Sequence, residues 1–246
     1  MRLDVGLELN KIHQGNCLDV MRSFPDDSVD LIVTSPPYNN WRNRRTQAKR
    51  KDYWKRTNIV YDVCEDKQED SVYENEQIQV INEMIRILKP TGTICYNHKD
   101  RIFNFTVKSP LEWILKTNAV YRQRITWDRC GMQAYNPVRF YRVEEDIYIL
   151  GKQAKGFTWN KDAAKYLSVW RIPPNKNIYG HNATFPEELV KRCVLAFTEK
   201  DGIVLDPYNG TGTTTKVAKD MGRQYIGIDV SKKYNETAEK RMNEHD

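Results

Sequence analysis

The sequence predicts an α/β chain in which a mostly parallel sheet carries helices on both faces. Two observations carry that expectation. Strand-like and helix-like blocks alternate along the chain, as crossover connections between parallel strands require. In addition, two apolar segments, Asp30–Thr34 and Ile203–Leu205, run directly into corners made of prolines and glycines.

The elements follow in order. Residues 18–24 suggest a short helix, and Asp30–Thr34 a buried strand. From Val72 to Leu88, apolar residues recur at three- and four-residue spacing (Val80, Ile81, Met84, Ile85, Leu88), which is helical; Lys89-Pro90-Thr91-Gly92 stops that helix. Thr93–Tyr96 reads as a strand, Leu111–Lys116 as a helix, and Val120–Trp127 and Glu145–Leu150 as a pair of strands. Between Gly151 and Asn182 the periodicity dissolves into aromatics, lysines and Pro173-Pro174, which suggests a small inserted module. A helix (Pro186–Phe197), a strand (Ile203–Leu205), a glycine turn, a helix (Thr213–Met221), a strand (Gln224–Ile228) and a C-terminal helix complete the chain.

Composition narrows the class. The 246 residues, 39% of them hydrophobic, support one large α/β domain, taken here as 1–246. No apolar run is long enough to cross a membrane and the N-terminus lacks a signal-peptide core, so a soluble intracellular protein is expected. The five cysteines (Cys17, Cys64, Cys95, Cys130, Cys193) are scattered and never in CxxC spacing, which argues against a disulfide framework or a zinc site. A metal is not expected.

The net charge of +6 is mild, but its distribution is uneven. Within an expected loop at 39–62, eight basic side chains fall between residues 42 and 56: Arg42, Arg44, Arg45, Lys49, Arg50, Lys51, Lys55 and Arg56. Trp41, Tyr53 and Trp54 bracket them. Two readings stand: a solvated mobile loop, or a phosphate-facing loop whose aromatics stack on bases or anchor it.

The first corner reads VTSPPY at 33–38. Two prolines lack N–H groups and have fixed φ, so they cannot extend a sheet. Taken alone, the corner is either a proline turn or a rigid device. The second corner reads IVLDPYNGTGTTT at 203–215, where a buried strand delivers Asp206 to its carboxyl end before Gly210 and Gly212. Ligands of open α/β sheets bind at such strand ends. There is no GxxxxGK[ST], which disfavours a triphosphate, and Thr215 replaces the third glycine of a dinucleotide fingerprint. Asp229 ends the next strand 23 residues after Asp206, either as a strand-end cap or as an acceptor for ribose hydroxyls. The pattern suits a nucleoside without a pyrophosphate.

Together, TSPPY at 34–38, LDPYNGTGTT at 205–214, the IGID segment at 226–229 and NATFPEELVKRC at 182–193 resemble the amino-group DNA methyltransferases of the permuted beta class. The resemblance spans nearly the whole chain. It implies a Rossmann-like methyltransferase fold with seven strands and a reversed terminal strand. It also implies a restriction–modification setting, with methyl transfer from S-adenosyl-L-methionine to N6 of adenine or N4 of cytosine; an RNA methyltransferase and a nucleic-acid-binding module without catalysis are the remoter readings. Adenine is narrowly favoured: SPPY is frequent among cytosine enzymes, but the permuted order is commoner among adenine ones.

Roles follow from the resemblance. Ser35 Oγ and the Pro36 carbonyl would accept the two amino N–H groups, with Pro37 fixing the corner and Tyr38 stacking on the flipped base. Ser35 is no strong base, so alignment and stabilisation are expected rather than prior deprotonation. Asp206, Pro207, Gly210, Gly212 and Thr213 would cradle the methionine part of the cofactor, and Asp229 its ribose. Asn16 and Cys17 match the element that lies against the cofactor's adenine, with Asn16 in place of the usual acid. Thr184, Phe185 and Pro186 match a segment that packs near the cofactor, although Phe185 also reads as a helix staple.

Target choice is expected from the insert at 151–182, where Trp159, Trp170 and Lys161 either contact DNA or fill a small core. Arg139 and Arg142 would meet phosphates or pair with Glu144 and Glu145. His181 reads as structural. The implied partners are double-stranded DNA, a homodimer mate and a cognate restriction endonuclease, in the cytoplasm of a prokaryotic, archaeal or phage-infected cell.

Overall fold

The computed structural model describes residues 7–39, 68–103, 106–131, 138–174 and 186–243. Eight strands form one sheet: β1 (Lys11–Gln14), β2 (Val29–Thr34), β3 (Leu88–His98), β6 (Val120–Asp128), β7 (Glu144–Gly151), β8 (Val169–Arg171), β9 (Ile203–Asp206) and β10 (Gln224–Asp229). Their order is β1-β10-β9-β2-β3-β7-β6-β8. Strands β4 (Arg101–Phe103) and β5 (Thr106–Lys108) make a separate hairpin. The helices are α1 (Cys17–Met21), α2 (Asp70–Ile87), α3 (Leu111–Ile114), α4 (Glu187–Phe197), α5 (Thr213–Asp220) and α6 (Lys232–Asn243).

The first five strands in sheet order are parallel, and β7 alone is reversed against both its neighbours, β3 and β6. Successive residues of a strand point to opposite faces, so each central strand feeds two cores. Ile32, Ile94, Tyr96, Tyr148 and Leu205 join α1, α2 and α3 on one face. Leu31, Val33, Cys95, Ile147, Ile149 and Val204 join α4 and α5 on the other. This two-sided burial explains why β2 reads as a continuous apolar run rather than an alternating one.

The expected seven strands become eight because the insert contributes β8. Val169–Arg171 pairs parallel with β6 and covers the sheet edge, Trp127 lying opposite Trp170. Three residues are too few for a periodic signal. The stop after α2 also takes an unexpected form. Leu88 already pairs with Val29, and Lys89–Gly92 then bulge out before Thr93 pairs with Leu31. A Cβ on Gly92 would lie 2.8 Å from the Asp30 carbonyl oxygen, so the bulge needs glycine there.

No helix among the described residues is long and apolar enough to cross a membrane.

Candidate active site

Strands β9 and β2 are neighbours, with Leu31 opposite Val204 and Ile32 opposite Leu205. From β9 the chain winds through α5 to β10 on one side; from β2 it winds through α2 to β3 on the other. This is the topological switch point, and the crevice outside its carboxyl ends is where such sheets hold ligands. Both corners open there. Thr34 Oγ1 donates to Asp206 Oδ1 at 2.8 Å, joining segments 172 residues apart.

Asp206 is almost fully buried and also accepts the Tyr208 backbone N–H at 3.0 Å. Burial pushes its carboxyl up to about 6, partly offset by its hydrogen-bond donors and reinforced by the Asp229 charge. No cationic side chain is paired with it among the described residues.

Gly210 and Gly212 take left-handed conformations, with φ of 50° and 82°. A Cβ on Gly212 would also stand 2.7 Å from Ala238 Cβ on α6. Gly212 caps α5, and Thr213 begins it. Arg241 of α6 donates to the Thr211 carbonyl at 2.7 Å and braces the turn from behind. The carboxylate of Asp229 accepts the backbone N–H groups of Gly210 at 2.9 Å and Ser231 at 2.8 Å. A carboxylate presents about four acceptor sites, so the cap reading and the ribose reading are compatible.

Asn16 is the N-cap of α1, its side chain accepting from the Leu18 N–H at 2.9 Å. Its oxygen is thus engaged in holding the helix. The buried Cys17 thiol is pushed up to about 11 by burial, against a lowering hydrogen bond from Tyr208, and so remains protonated. That contact ties α1 to the glycine turn. Pro186 is buried at the N-cap of α4, while Thr184 and Phe185 lie outside the described residues.

At the proline corner, Pro36 is buried and Ser35, Pro37 and Tyr38 are half-buried. Ser35 Oγ and the Tyr38 hydroxyl are 2.8 Å apart, and the Tyr38 hydroxyl donates to Glu145 Oε2 at 2.8 Å. Asn97 Nδ2 donates to Glu145 Oε2 at 3.0 Å and reaches the Tyr38 hydroxyl at 2.5 Å and Ser35 Oγ at 3.4 Å. Arg129 donates to Glu145 Oε1 at 3.0 Å. Burial, and then the Glu145 charge, hold the Tyr38 phenol well above its ordinary range.

A second buried set fixes the corner from below. The Tyr73 hydroxyl donates to the Pro37 carbonyl at 2.7 Å and lies 2.8 Å from His98 Nε2. Burial pulls His98 down to about 3, so the ring is neutral. Its Nδ1–H therefore faces the Lys99 carbonyl at 2.7 Å, and Nε2 competes with Pro37 for the Tyr73 proton. The Pro36 carbonyl, by contrast, has no protein donor among the described residues. The Tyr38 ring rests on His98, centroids 4.6 Å apart.

The sequence does not show that Asn97, His98, Tyr73, Arg129 and Glu145 gather at the proline corner. The one available signal was polarity: Asn97-His98 ends an apolar buried strand with two groups that must find partners.

The basic block at 42–56 lies outside the described residues, as do residues 175–182 of the insert and His181. Its flanks are described. Asn39 donates to the Gln68 carbonyl and accepts the Gln68 N–H, both at 3.0 Å, so the segment leaves and rejoins the fold at one point beside the proline corner. Arg139 is exposed on the connection from β6 to β7. Arg142 pairs with Glu144 at 2.7 Å and Asp100 at 2.9 Å. Trp170 is buried in the core, whereas Trp159 is 46% exposed. Among the described residues, no group of three or more His, Cys, Asp or Glu could hold a metal.

A family model described as DNA methylase (N6_N4_Mtase) matches residues 29–240, which takes in both corners and the crevice between them. The chain belongs to this DNA methylase family. Its activity is methyl transfer to an amino group of DNA, N6 of adenine or N4 of cytosine. Among curated relatives, the methylase is 29% identical over 99% of its length to the type II methyltransferase M.HinfI of Haemophilus influenzae, covering 71% of that protein. It is 28% identical over 93% of its length to the DNA adenine methyltransferase YhdJ of Escherichia coli, covering 81% of it.

In fold, the methylase resembles the cytosine-N4-specific PvuII DNA methyltransferase (TM-score 0.76, 16% identity, 97% and 88% of the two chains). It also resembles a candidate DNA modification methylase of Thermus thermophilus complexed with S-adenosyl-L-methionine (TM-score 0.66, 25% identity, 94% and 93%). The Rossmann-like fold and its largely parallel sheet are as the sequence predicts.

Proposed function

We propose that the protein uses S-adenosyl-L-methionine to methylate the exocyclic amino group of a base flipped out of double-stranded DNA, with N6 of adenine narrowly favoured. The observation that carries this reading is the Thr34–Asp206 hydrogen bond, which fixes the proline corner against the glycine turn. The cofactor fits the residues present. Asp206 is a buried carboxylate with no cation paired to it among the described residues, as an ammonium would require, and Gly210 leaves open space where a Cβ would stand, 4.0 Å from the Tyr208 carbonyl oxygen. When bound, the cofactor supplies a methyl group on a sulfonium sulfur.

The chain's own residues do the rest. Asp206 would hold the ammonium, the free N–H groups at the start of α5 the carboxylate, and Asp229 the ribose hydroxyls. Ser35 Oγ and the Pro36 carbonyl would accept from the target amino group, favouring a tetrahedral nitrogen whose lone pair faces the methyl carbon. Support for Pro36 is that its carbonyl meets no donor among the described residues, whereas that of Pro37 accepts from Tyr73. The basic segment at 42–56 and Arg139 would meet phosphates; the Asn39–Gln68 clamp supports this by anchoring that segment beside the corner.

N4 of cytosine is the second reading, favoured by serine at position 35. Restriction–modification relatives support a cognate endonuclease as partner and a bacterial cytoplasm as setting, and the family resemblance implies a homodimer.

The test is incubation of duplex DNA with labelled S-adenosyl-L-methionine, followed by nucleoside chromatography. Label should appear as N6-methyladenine, and Ser35→Ala should cut the single-turnover rate about 100-fold with cofactor binding retained. Equal labelling by wild type and variant rejects the assigned site, and N4-methylcytosine replaces the favoured base.

A further inference from the structure

We propose that Glu145, on the reversed strand β7, is a positioning residue that sets the direction of the hydrogen bonds at the proline corner and receives the proton released by the methylated amino group. The inference rests on the methyltransferase reading above and deepens it.

The argument is one of donors and acceptors. Glu145 is buried and meets three donors: Arg129 on Oε1, and Asn97 and Tyr38 on Oε2. A carboxylate has nothing to donate, so the single Tyr38 proton must point toward it. Ser35 Oγ, 2.8 Å from the Tyr38 oxygen, must then donate its own proton to that oxygen. One of its two lone pairs faces the long Asn97 Nδ2 contact at 3.4 Å, and the other is thereby left to accept from the target's amino group. Without an acceptor at Glu145, the Tyr38 hydroxyl is free to donate to Ser35 and spend the lone pair the reaction needs.

The same chain gives the proton a route. As the N–CH3 bond forms and the S–CH3 bond breaks, the bonding electrons stay on sulfur and nitrogen becomes positive. Nitrogen passes a proton to Ser35 Oγ, the Ser35 proton moves to the Tyr38 oxygen, and the Tyr38 proton moves to Glu145 Oε2. The products are the neutral methylamino group, a thioether and a carboxylic acid, so atoms and charge balance. Ser35 and Tyr38 end as they began, and no strong base is required at the amino group itself.

Glu145→Gln supplies a sharp test. Arg129 will draw the amide oxygen, which turns the new NH2 toward Tyr38 and reverses the chain. The single-turnover methylation rate should fall about 100-fold, while calorimetric dissociation constants for S-adenosyl-L-methionine and duplex DNA stay within about threefold. Tyr38→Phe, which keeps the ring but cuts the chain, should lose a comparable factor, and Glu145→Gln should then cost little more in the Tyr38→Phe background.

A wild-type rate in Glu145→Gln overturns the proposal, as does the full 100-fold loss repeated on top of Tyr38→Phe. Should Glu145→Gln fail to fold, a wild-type rate in Tyr38→Phe overturns it alone. Wild-type protein that binds the cofactor but never labels DNA defeats instead the reading on which this one rests.

Discussion

Asp206 is a carboxyl that burial makes costly to the fold and that the proposed function puts to use in the site. Burial raises it to about 6, so between the ordinary aspartate range and that value the native state binds a proton the unfolded chain has released. Its contribution to stability therefore worsens as pH rises through that window and stays unfavourable above it, by about 3 kcal/mol. In urea unfolding at a series of pH values, Asp206→Asn should be more stable than wild type by about that amount at pH 7, the difference closing toward about pH 4. An amide oxygen can still accept from Thr34 and Tyr208. The same variant should bind S-adenosyl-L-methionine at least about 10-fold more weakly, because it no longer offers a charge to an ammonium. An unchanged stability difference across the pH series would show that the carboxyl is not perturbed.

At the scale of elements, the start of α5 depends on a backbone that only glycine adopts easily. Gly212 stands at φ 82°, and α6 packs so closely that a Cβ would lie 2.7 Å from Ala238 Cβ. Conformation and space therefore act together. Gly212→Ala should destabilise the protein by about 2–3 kcal/mol, lowering Tm by roughly 5–10 °C. It should also weaken cofactor binding, since Arg241 bridges the turn to α6 and the helix start would shift with it. Thermal melts with and without cofactor check both outcomes; a Gly212→Ala protein melting like wild type would mean the turn tolerates a side chain.

At the scale of the molecule, the proposed function assigns the approach of DNA to charge. Both corners, the Asn39–Gln68 clamp and the Arg139 connection lie at the carboxyl rim of one sheet, where the proposed function would bring a duplex. Replacing Arg44, Arg45, Arg50 and Lys51 by alanine should weaken duplex binding and flatten its salt dependence. Each lost phosphate contact removes about 0.9 from the slope of log K against log salt. A titration by fluorescence anisotropy between about 50 and 300 mM salt reads this directly. An unchanged slope would return the segment to a solvated loop. The cofactor constant should not move, which separates this effect from unfolding.

Legibility followed the range of the interaction. Helices α2, α4 and α5 and strands β2, β9 and β10 were readable because periodicity and corner residues are local signals. The short β8 was not, because it is a strand only where β6 offers an edge. Asp206 and Ser35 announced themselves through their neighbours in sequence. Glu145, Asn97 and Arg129 did not: each is unremarkable along the chain and gains meaning only where β3, β6 and β7 bring it beneath Tyr38.

By itself, then, the sequence singled out the two corners to which the chemistry is assigned in the proposed function, since a proline pair and a glycine turn write their backbone constraints into adjacent letters. Only the tertiary structure decided that Thr34 grips Asp206 and that a carboxylate from the reversed strand orients the Ser35 hydroxyl. The reason is that hydrogen-bond direction depends on which donor meets which acceptor across the sheet, and that pairing exists nowhere along the chain.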